Sequence, residues 1–437
     1  MPDCAPEAGD DLSLGPELSR RYHRNKLSRT VFPALPRNKN RSIVFALGGS
    51  SYFQLVTWEP GPTRQGLRKL PADLAWGQLV ARMKWGCMAA GLLAFFVALF
   101  ASMMLVVPVR AFALRVGMVD LPGPRKVHHA PIPLLGGLAM YVAVVVAVLL
   151  AFQGTARTQI AAILIGATLV AAVGILDDRG LLHHQVKLFV GMPVAAGILL
   201  FTGMRAQVFS ILLGGRSGEL LDSALTVLWV VGITASFSIL DHMDGLCAGV
   251  AAVASVFFAL LAYLNGQTLV TVLAAAVLGA ATGFLRWNFK PAKIFMGDGG
   301  AMFLGFLMAT LGLKLRLENA SHLSSWLVPI LILGVAIFDT TLVTISRARR
   351  GLLPFATPGK DHAAHRLSNL GLGHRGAVIT LYLLGAVGGC AALFVSYVSS
   401  RGALVLGTVI LAVILFGVAF LERAPYERQE RKASPAC

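Results

Sequence analysis

The chain has 437 residues, of which 56% are hydrophobic and only 14% are charged, and its mean hydropathy is +0.72. This balance excludes an ordinary soluble domain and indicates an integral membrane protein. The formal net charge of +17 favours membrane surfaces and anionic phosphates as partners, and we expect no nucleic-acid partner.

The first part of the chain differs in composition from the rest. Residues 1–85 are polar, rich in proline and arginine, and lack a convincing membrane span. We expect them to form a basic, disordered N-terminal extension. Residues 86–421 contain the apolar segments and are predicted to form one multi-span domain. Residues 422–437 are predicted to be a polar C-terminal tail.

Apolar runs of roughly 17 to 25 residues, enough to cross about 30 Å of hydrocarbon as helices, recur through the multi-span domain. The runs are uninterrupted, which excludes the alternating pattern of an outer-membrane barrel. The sequence therefore predicts an all-α integral membrane protein, a polytopic bundle of about eleven transmembrane helices. The predicted spans are 86–109, 134–152, 159–176, 186–203, 221–240, 246–264, 267–285, 300–315, 325–345, 376–397 and 402–421.

The loops between the predicted spans differ in charge. If alternate loops lie on opposite sides of the membrane, one set carries most of the basic residues, among them Lys187, Arg347 and Lys360. The positive-inside rule places that set in the cytoplasm. We therefore expect a multi-pass inner-membrane protein whose active site and C-terminal tail face the cytoplasm. The opposite set has only Arg157, Arg205, Arg216, Lys314, Arg316 and Arg401.

Acidic residues gather in the same basic loops. Asp177 and Asp178 end the third span in GILDDRG, and their side chains diverge by roughly 100° on a helix, which favours different roles. Asp241 and Asp244 are spaced i, i+3 at a helix end, within reach of one cation. Asp298 lies between glycines in GDGG, where the backbone can approach a ligand closely. Ionisable groups at a membrane edge are functional candidates because desolvating them is expensive.

Together these carboxylates predict a divalent cation. A lone aspartate is more often a helix cap or a solvated loop charge, but five on one face favour a metal in a basic pocket for a diphosphate substrate. Oxygen ligands without a cage of cysteine or histidine favour Mg²⁺, with Mn²⁺ as the alternative, over zinc. The five cysteines are scattered and predict neither a disulfide framework nor a zinc site.

Basic and histidine residues of the same loops are candidates for phosphate or sugar binding. Each lysine or arginine can equally anchor a helix at the lipid headgroups. His362 and His365 are spaced i, i+3 and are followed by Arg366, which favours a contact with phosphate or sugar. The candidate substrate-binding residues are Lys126, Lys187, Asn288, Lys293, His362, His365 and Arg366.

Five ordered motifs give the chain a specific resemblance. They are VDLPGPRKVHHAPIPLLGG, GILDD with Lys187 ten positions after Asp177, DHMDGLCAG, NFKPAKIFMGDGG and DHAAHRL. In these motifs the chain resembles the polyprenyl-phosphate N-acetylhexosamine-1-phosphate transferase family. That family includes enzymes that start O-antigen and teichoic-acid glycans, and the phospho-N-acetylmuramoyl-pentapeptide transferase of peptidoglycan synthesis. The resemblance leaves residues 1–85 and the last span unexplained.

The resemblance implies transfer of a sugar 1-phosphate from a UDP-N-acetylhexosamine to a polyprenyl phosphate such as undecaprenyl phosphate, with release of UMP. N-acetylglucosamine is the favoured sugar, because the histidine loop resembles the glycan-initiating branch. Asp177 would be the base or orienter for the lipid phosphate, and Lys187 would neutralise phosphate. The implied catalytic residues are Asp177, Asp178, Asp241 and Asp244, and the implied Mg²⁺ ligands are Asp298, Asp178 and Ser238.

The chain departs from the family pattern before Asp241. Many members have Asn-Ala-x-Asn there, whereas this chain has TASFSILDHMDG, with Ala235 and Ser238 at the asparagine positions and His242 where glycine or asparagine is common. The changes leave open a divergent substrate, such as that of a muramoyl-pentapeptide transferase, and a non-enzymatic scaffold. Many spans with buried charge also describe a lipid transporter. Charges at one membrane edge, not at mid-span, favour an enzyme over a transporter. A homodimer is also left open.

Overall fold

A computed structural model describes residues 42–48, 52–58, 72–121, 131–182, 184–317, 320–352 and 359–426. Its contacts divide the chain into two units, Met1–Ala75 and Trp76–Cys437. In the first unit, strands β1 (Ser42–Gly48) and β2 (Tyr52–Trp58) pair antiparallel. These strands lie within the segment for which the sequence predicts disorder. The division at residues 85 and 422 stays a prediction.

Beyond these strands the described chain is mostly helical, with one short ladder between β3 (Val119–Asp120) and β4 (Ile132–Pro133). The helices are α1 (Ala72–Arg115), α2 (Gly136–Ala151), α3 (Arg157–Asp178), α4 (Lys187–Phe201), α5 (Phe209–Leu212), α6 (Gly215–Leu240), α7 (Leu246–Leu264), α8 (Thr268–Asn288), α9 (Gly297–Lys314), α10 (His322–Ile332), α11 (Gly334–Arg349), α12 (Ala363–Val395) and α13 (Ser400–Glu422).

The helix lengths confirm a polytopic all-α membrane protein. Seven of the described helices are long and apolar enough to cross a membrane, or eight if α10 and α11, bent by 73°, form one span. Ten of the predicted spans each coincide with one helix, whereas the span 325–345 covers both α10 and α11. The count of eleven is not confirmed. One reason is length: α2 has 16 residues. At 1.5 Å per residue α2 reaches about 24 Å, short of the roughly 30 Å of a hydrocarbon core.

Helix α9 lies at the centre of the bundle. It packs against α2, α3, α6 and α7, and nearly all of its residues are buried. At its start, Gly299 lies against Gly174 of α3 and Gly300 lies against Gly137 of α2, so that a Cβ on either partner would meet backbone atoms. Small residues let helix backbones approach closely. The packing therefore fixes Asp298, at the start of α9, beside the end of α3.

The candidate residues lie at one end of the bundle. Helices α1, α3, α6, α8, α11 and α13 end there, and α2, α4, α7, α9 and α12 begin there. Hydrogen bonds join these ends: the Gly136 amide donates to the Phe295 carbonyl at 2.9 Å, and Arg366 donates to the Leu421 carbonyl at 2.8 Å. We call this the site end of the bundle. The alternation of helix direction brings loops that are far apart in sequence to one place.

Candidate active site

A lysine links two carboxylates at the site end. The Lys187 ammonium donates to Asp177 Oδ2 and to Asp298 Oδ2, both at 2.6 Å. The Ser238 hydroxyl, near the end of α6, donates to Asp298 Oδ1 at 2.7 Å. The charged side chains are 15 to 26% exposed, so a ligand can reach them. We call Asp177, Lys187, Ser238 and Asp298 the lysine–carboxylate cluster.

Asp178 has different partners from its neighbour Asp177. Its Oδ1 accepts a hydrogen bond from the Asp298 amide at 2.9 Å, and its Oδ2 accepts one from the Gly299 amide at 3.1 Å. These amides belong to the first turn of α9, where backbone donors lack partners within the helix and negative charge is favourable. Asp178 thus caps α9 from the end of α3 and holds Asp298 in place. Its role as a metal ligand stays a prediction.

Gly297 makes this arrangement possible. Its φ is +76°, in the left-handed region, and a Cβ there would lie 2.6 Å from Asp178 Oδ2. A side chain would therefore add backbone strain of about 1–3 kcal/mol and would also press on the capping carboxylate.

We expect Gly297→Ala to lower the melting temperature of the purified protein in detergent more than Gly180→Ala does. Gly180 is a matched control, because its φ is +68° but nothing lies within 4 Å of an added Cβ. Both variants carry the backbone strain, and only Gly297→Ala displaces Asp178. Equal losses of stability in the two variants would contradict the proposed importance of this contact.

The loop between α6 and α7 is tied to the segment before α9. Asn288, which is buried, accepts a hydrogen bond from the Gly245 amide and donates one to the Ile294 carbonyl, both at 3.0 Å. Asp244 Oδ2 accepts a hydrogen bond from the Ala292 amide at 3.2 Å. The structure thus gives Asn288 and Asp244 partners within the chain, and both join the two loops beside the cluster.

Negative charge is concentrated where these loops meet. Burial, together with the negative charges of neighbouring aspartates, raises the pKa of Asp241 to about 8. A group of crowded carboxylates with a hydroxyl is the kind of oxygen donor set that hard divalent cations prefer. Asp298, Ser238 and Asp241 supply oxygen donors of the type that suits a cation such as Mg²⁺, and a positive charge here would relieve the repulsion between the carboxylates.

Arginines fix the segment that leads into α12. Asp361 accepts two hydrogen bonds from Arg347, at 2.8 and 3.0 Å, and another from Arg350. Although burial opposes it, these partners hold the pKa of Asp361 at about 2. Arg366 is fully buried and donates to the Asp361 and Leu421 carbonyls, both at 2.8 Å, and to other groups of the chain. These hydrogen bonds within the chain indicate that Arg366 holds this segment in position.

Four histidines lie next to one another beside this segment. The ring centroids of His242 and His362 are 3.8 Å apart, and His365 lies 5.0 Å from His242 and 6.2 Å from His374. His362 is buried, and its Nδ1 lies 2.9 Å from Asp339 Oδ2. Sequence reasoning missed Asp339. The signal was present, because Asp339 is an acidic residue within the predicted span 325–345, and such residues are usually functional.

Two further predicted residues have other surroundings. Lys293 is exposed, and its ammonium lies 5.6 Å from the centre of the Trp287 ring. Lys126 lies outside the described residues. Of the two departures at the asparagine positions, Ser238 joins the lysine–carboxylate cluster, whereas Ala235 is buried.

Sequence comparisons bear on this arrangement. The sequence profile of "Glycosyl transferase family 4" matches residues 160–316. A "Probable undecaprenyl-phosphate N-acetylglucosaminyl 1-phosphate transferase" of Bacillus subtilis is 40% identical over 296 residues, which are 67% of this chain and 82% of the relative. The chain belongs to glycosyl transferase family 4. The resemblance inferred from the five motifs is confirmed.

Other relatives of this family 4 protein carry similar names. A "Decaprenyl-phosphate N-acetylglucosaminephosphotransferase" of Mycolicibacterium smegmatis is 34% identical over 353 residues, which are 74% of this chain and 86% of the relative. An "Undecaprenyl-phosphate alpha-N-acetylglucosaminyl 1-phosphate transferase" of Yersinia pestis is 26% identical over 292 residues, 65% of this chain and 79% of the relative. The profile match of the family 4 chain includes the whole lysine–carboxylate cluster, whereas the segment with His362 lies beyond it.

Proposed function

We propose that the protein transfers N-acetylglucosamine 1-phosphate from UDP-N-acetylglucosamine to undecaprenyl phosphate, releasing UMP and starting a cell-envelope glycan. The printed names of the relatives support a polyprenyl phosphate acceptor and an N-acetylglucosamine phosphate group. The observation that carries the proposal is the lysine–carboxylate cluster, in which one ammonium lies between Asp177 and Asp298. Such a cluster suits two anionic substrates that must approach each other.

The proposed reaction is a phosphoryl transfer. An oxygen of the lipid phosphate forms a bond to the sugar-bearing phosphorus of the UDP-sugar, and the bond from that phosphorus to the bridging oxygen breaks, so that UMP leaves. Asp298, Ser238 and Asp241 would hold Mg²⁺, or Mn²⁺ as an alternative. The bound cation would offset the negative charge of the diphosphate as the leaving group departs.

The side chains have separate tasks in this proposal. Lys187 reduces repulsion between the two phosphates and stabilises charge on the transferred group. Asp177 orients the lipid phosphate. A phosphate monoester with a second pKa of about 6 is already largely ionised at neutral pH, so positioning matters more than proton removal. Asp178 holds the start of α9, and with it Asp298, in position through the Asp298 and Gly299 amides.

The histidine segment would select the sugar. His365 is partly exposed next to His242 and His374, whereas Arg366 is buried beneath it. We assign the sugar contact to His365 and the positioning of the segment to Arg366. His362 belongs to the same segment, and its hydrogen bond to Asp339 helps to hold the segment in place.

The membrane arrangement belongs to the same proposal. Eleven crossings agree with the alternating helix ends, if α2, α4 and α9 cross along with the longer helices. Basic residues such as Arg347 and Arg350 at the site end favour a cytoplasmic orientation under the positive-inside rule. Lipid phosphate from the bilayer and dissolved nucleotide sugar would then meet at one surface.

Purified protein in detergent is expected to release UMP from UDP-N-acetylglucosamine only when both undecaprenyl phosphate and Mg²⁺ are present. A chelator should abolish the release, and added Mg²⁺ or Mn²⁺ should restore it, because the proposed donor set consists of oxygen atoms. UMP would be measured by chromatography.

Reactions without the lipid, and reactions with UDP-N-acetylgalactosamine or UDP-N-acetylmuramoyl-pentapeptide, are the controls. If UMP is released only from UDP-N-acetylmuramoyl-pentapeptide, that nucleotide sugar is the substrate and the proposed one is wrong. Silence with every sugar, from protein that is monodisperse, would contradict the transferase and favour the scaffold or the transporter.

A further inference from the structure

A second group of ligand-type side chains lies apart from the lysine–carboxylate cluster. His242 follows α6, Asp339 lies in α11, and His362 immediately precedes α12. One ligand atom from each of these three residues lies within 4.8 Å of the other two. The three are separated by 97 and 23 positions in the sequence (242 to 339 and 339 to 362), so their proximity arises from the fold.

His242 presents an unsatisfied nitrogen to this group. Its Nδ1 lies 3.1 Å from the Ile239 carbonyl, which can only accept, so Nδ1 carries the hydrogen and donates. The Nε2 atom then has a free lone pair, and it is buried without a hydrogen-bond partner. A buried polar atom without a partner is costly and calls for an explanation. A histidine held through one nitrogen by a carbonyl, with the other nitrogen free, is the usual arrangement of a metal ligand.

Asp339 and His362 are buried and already contact each other. Asp339 is 1% exposed and His362 is 5% exposed. Asp339 Oδ1 accepts a hydrogen bond from the Ala363 amide at 2.7 Å, which leaves Oδ2 beside His362 Nδ1 at 2.9 Å. The carboxylate thus brings a negative charge to a buried site that already contains two imidazoles.

The donor types distinguish this group from the proposed magnesium site. Two imidazole nitrogens and one carboxylate oxygen suit Zn²⁺ and similar transition metals, whereas Mg²⁺ prefers oxygen alone. Ligand atoms on a tetrahedral zinc ion with bonds of about 2.0–2.1 Å lie roughly 3.4 Å apart. Small rotations of the side chains would therefore close the present separation around an ion. Three protein ligands leave a fourth position for water or another ligand.

We propose that His242, Asp339 and His362 form a transition-metal site of the Zn²⁺ class, separate from the magnesium site of the transferase. A bound ion joins the loop after α6 to the start of α12, and so fixes the segment that carries His365 against the site end. The proposal does not depend on the transferase reaction. It depends on the buried Nε2 atom of His242, which has no hydrogen-bond partner among the described residues.

The test uses full-length protein without a histidine tag, in detergent and with excess Mg²⁺, and without nucleotide or lipid. Co²⁺ is titrated as a spectroscopic substitute for Zn²⁺, and visible absorption reports nitrogen-containing coordination of low symmetry. Zn²⁺ competition then gives the affinity. Loss of an outer-sphere partner alone weakens metal binding by up to about 100-fold. Because His242 would bind the ion directly, we expect His242→Gln to weaken binding by at least about 100-fold. His322→Gln is the matched control, because His322 is exposed at the start of α10.

Two more variants keep the result decisive. His362→Gln, which changes the ligand that precedes α12, should weaken Co²⁺ binding as His242→Gln does. A folding defect in one histidine variant then does not decide the outcome. Asp298→Asn should leave Co²⁺ binding unchanged, because Asp298 belongs to the magnesium site. Equal affinity in wild type, His242→Gln and His362→Gln would overturn the proposal. Displacement of the Co²⁺ signal by Mg²⁺ would also overturn it. Neither result depends on whether the protein releases UMP.

Discussion

Asp298→Asn is expected to reduce UMP release by at least about 100-fold, because the loss of a metal ligand removes several kcal/mol of charge stabilisation. Asp298 meets three demands at once: its two oxygens accept hydrogen bonds from Ser238 and Lys187, and its own amide binds Asp178. The asparagine has the same shape and keeps the amide. The substitution therefore removes the charge while the start of α9 stays in place.

Two measurements separate the chemistry of Asp298→Asn from damage to the fold. Binding of Mn²⁺, followed by electron paramagnetic resonance, should weaken in parallel with turnover, while the melting temperature should change little. Glu219→Gln is the control, because Glu219 pairs with Arg205 at 3.4 Å at the opposite end of the bundle and should keep full activity. If Asp298→Asn retains more than a tenth of the wild-type turnover, the assignment of Asp298 as a metal ligand is wrong.

Lys187→Gln is expected to lower turnover by about 100-fold or more, because electrostatic stabilisation of a transferring phosphoryl group contributes several kcal/mol. The structure adds a second reason. Without the ammonium, the carboxylates of Asp177 and Asp298 face each other unpaired, since both bind the same nitrogen at 2.6 Å. We expect the maximal rate to fall more than the affinity for either substrate, because the charge acts most strongly as the phosphoryl group is transferred.

A matched pair of variants tests the charge of Lys187 directly. Lys187→Arg keeps the positive charge and should recover part of the rate, although its larger planar group presents its donors in a different, fixed geometry. Lys314→Gln removes the same charge at the far end of α9, where Lys314 donates to Gln159 at 2.8 Å, and should be silent. If Lys187→Gln and Lys314→Gln have the same rate, the proposed role of the cluster is wrong.

The sequence predicted the site loops better than the membrane spans. Apolar runs located the long helices, since long uninterrupted runs have few alternatives. The run 325–345 was read as one span, but Pro329 lies one turn before the 73° bend between α10 and α11. A proline removes a backbone donor and its ring crowds the preceding turn, which weakens a helix locally. Hydropathy alone does not register that effect.

Within the site, the residue types were predictable and their partners were not. The adjacent aspartates were expected to differ, but that Asp178 would cap a helix 120 positions later could not be deduced from local pattern (178 to 298). Arg366 was singled out as a substrate contact because it follows two histidines. In the structure it is fully buried and donates to the Leu421 carbonyl of α13, which lies 55 positions away in the sequence and is brought near only by the fold.

The cap that Asp178 places on α9 also constrains how the protein is made. The carboxylate leaves the ribosome well before the amides of Asp298 and Gly299 that it binds. Contacts between distant parts of a chain form late, because the intervening segment must first be ordered. A nascent chain that ends before α9 therefore has both aspartates of GILDDRG at the membrane but no assembled site. Transfer to lipid can begin only after five further helices, α4 to α8, and the start of α9 have been synthesised and α9 has inserted between α3 and its neighbours.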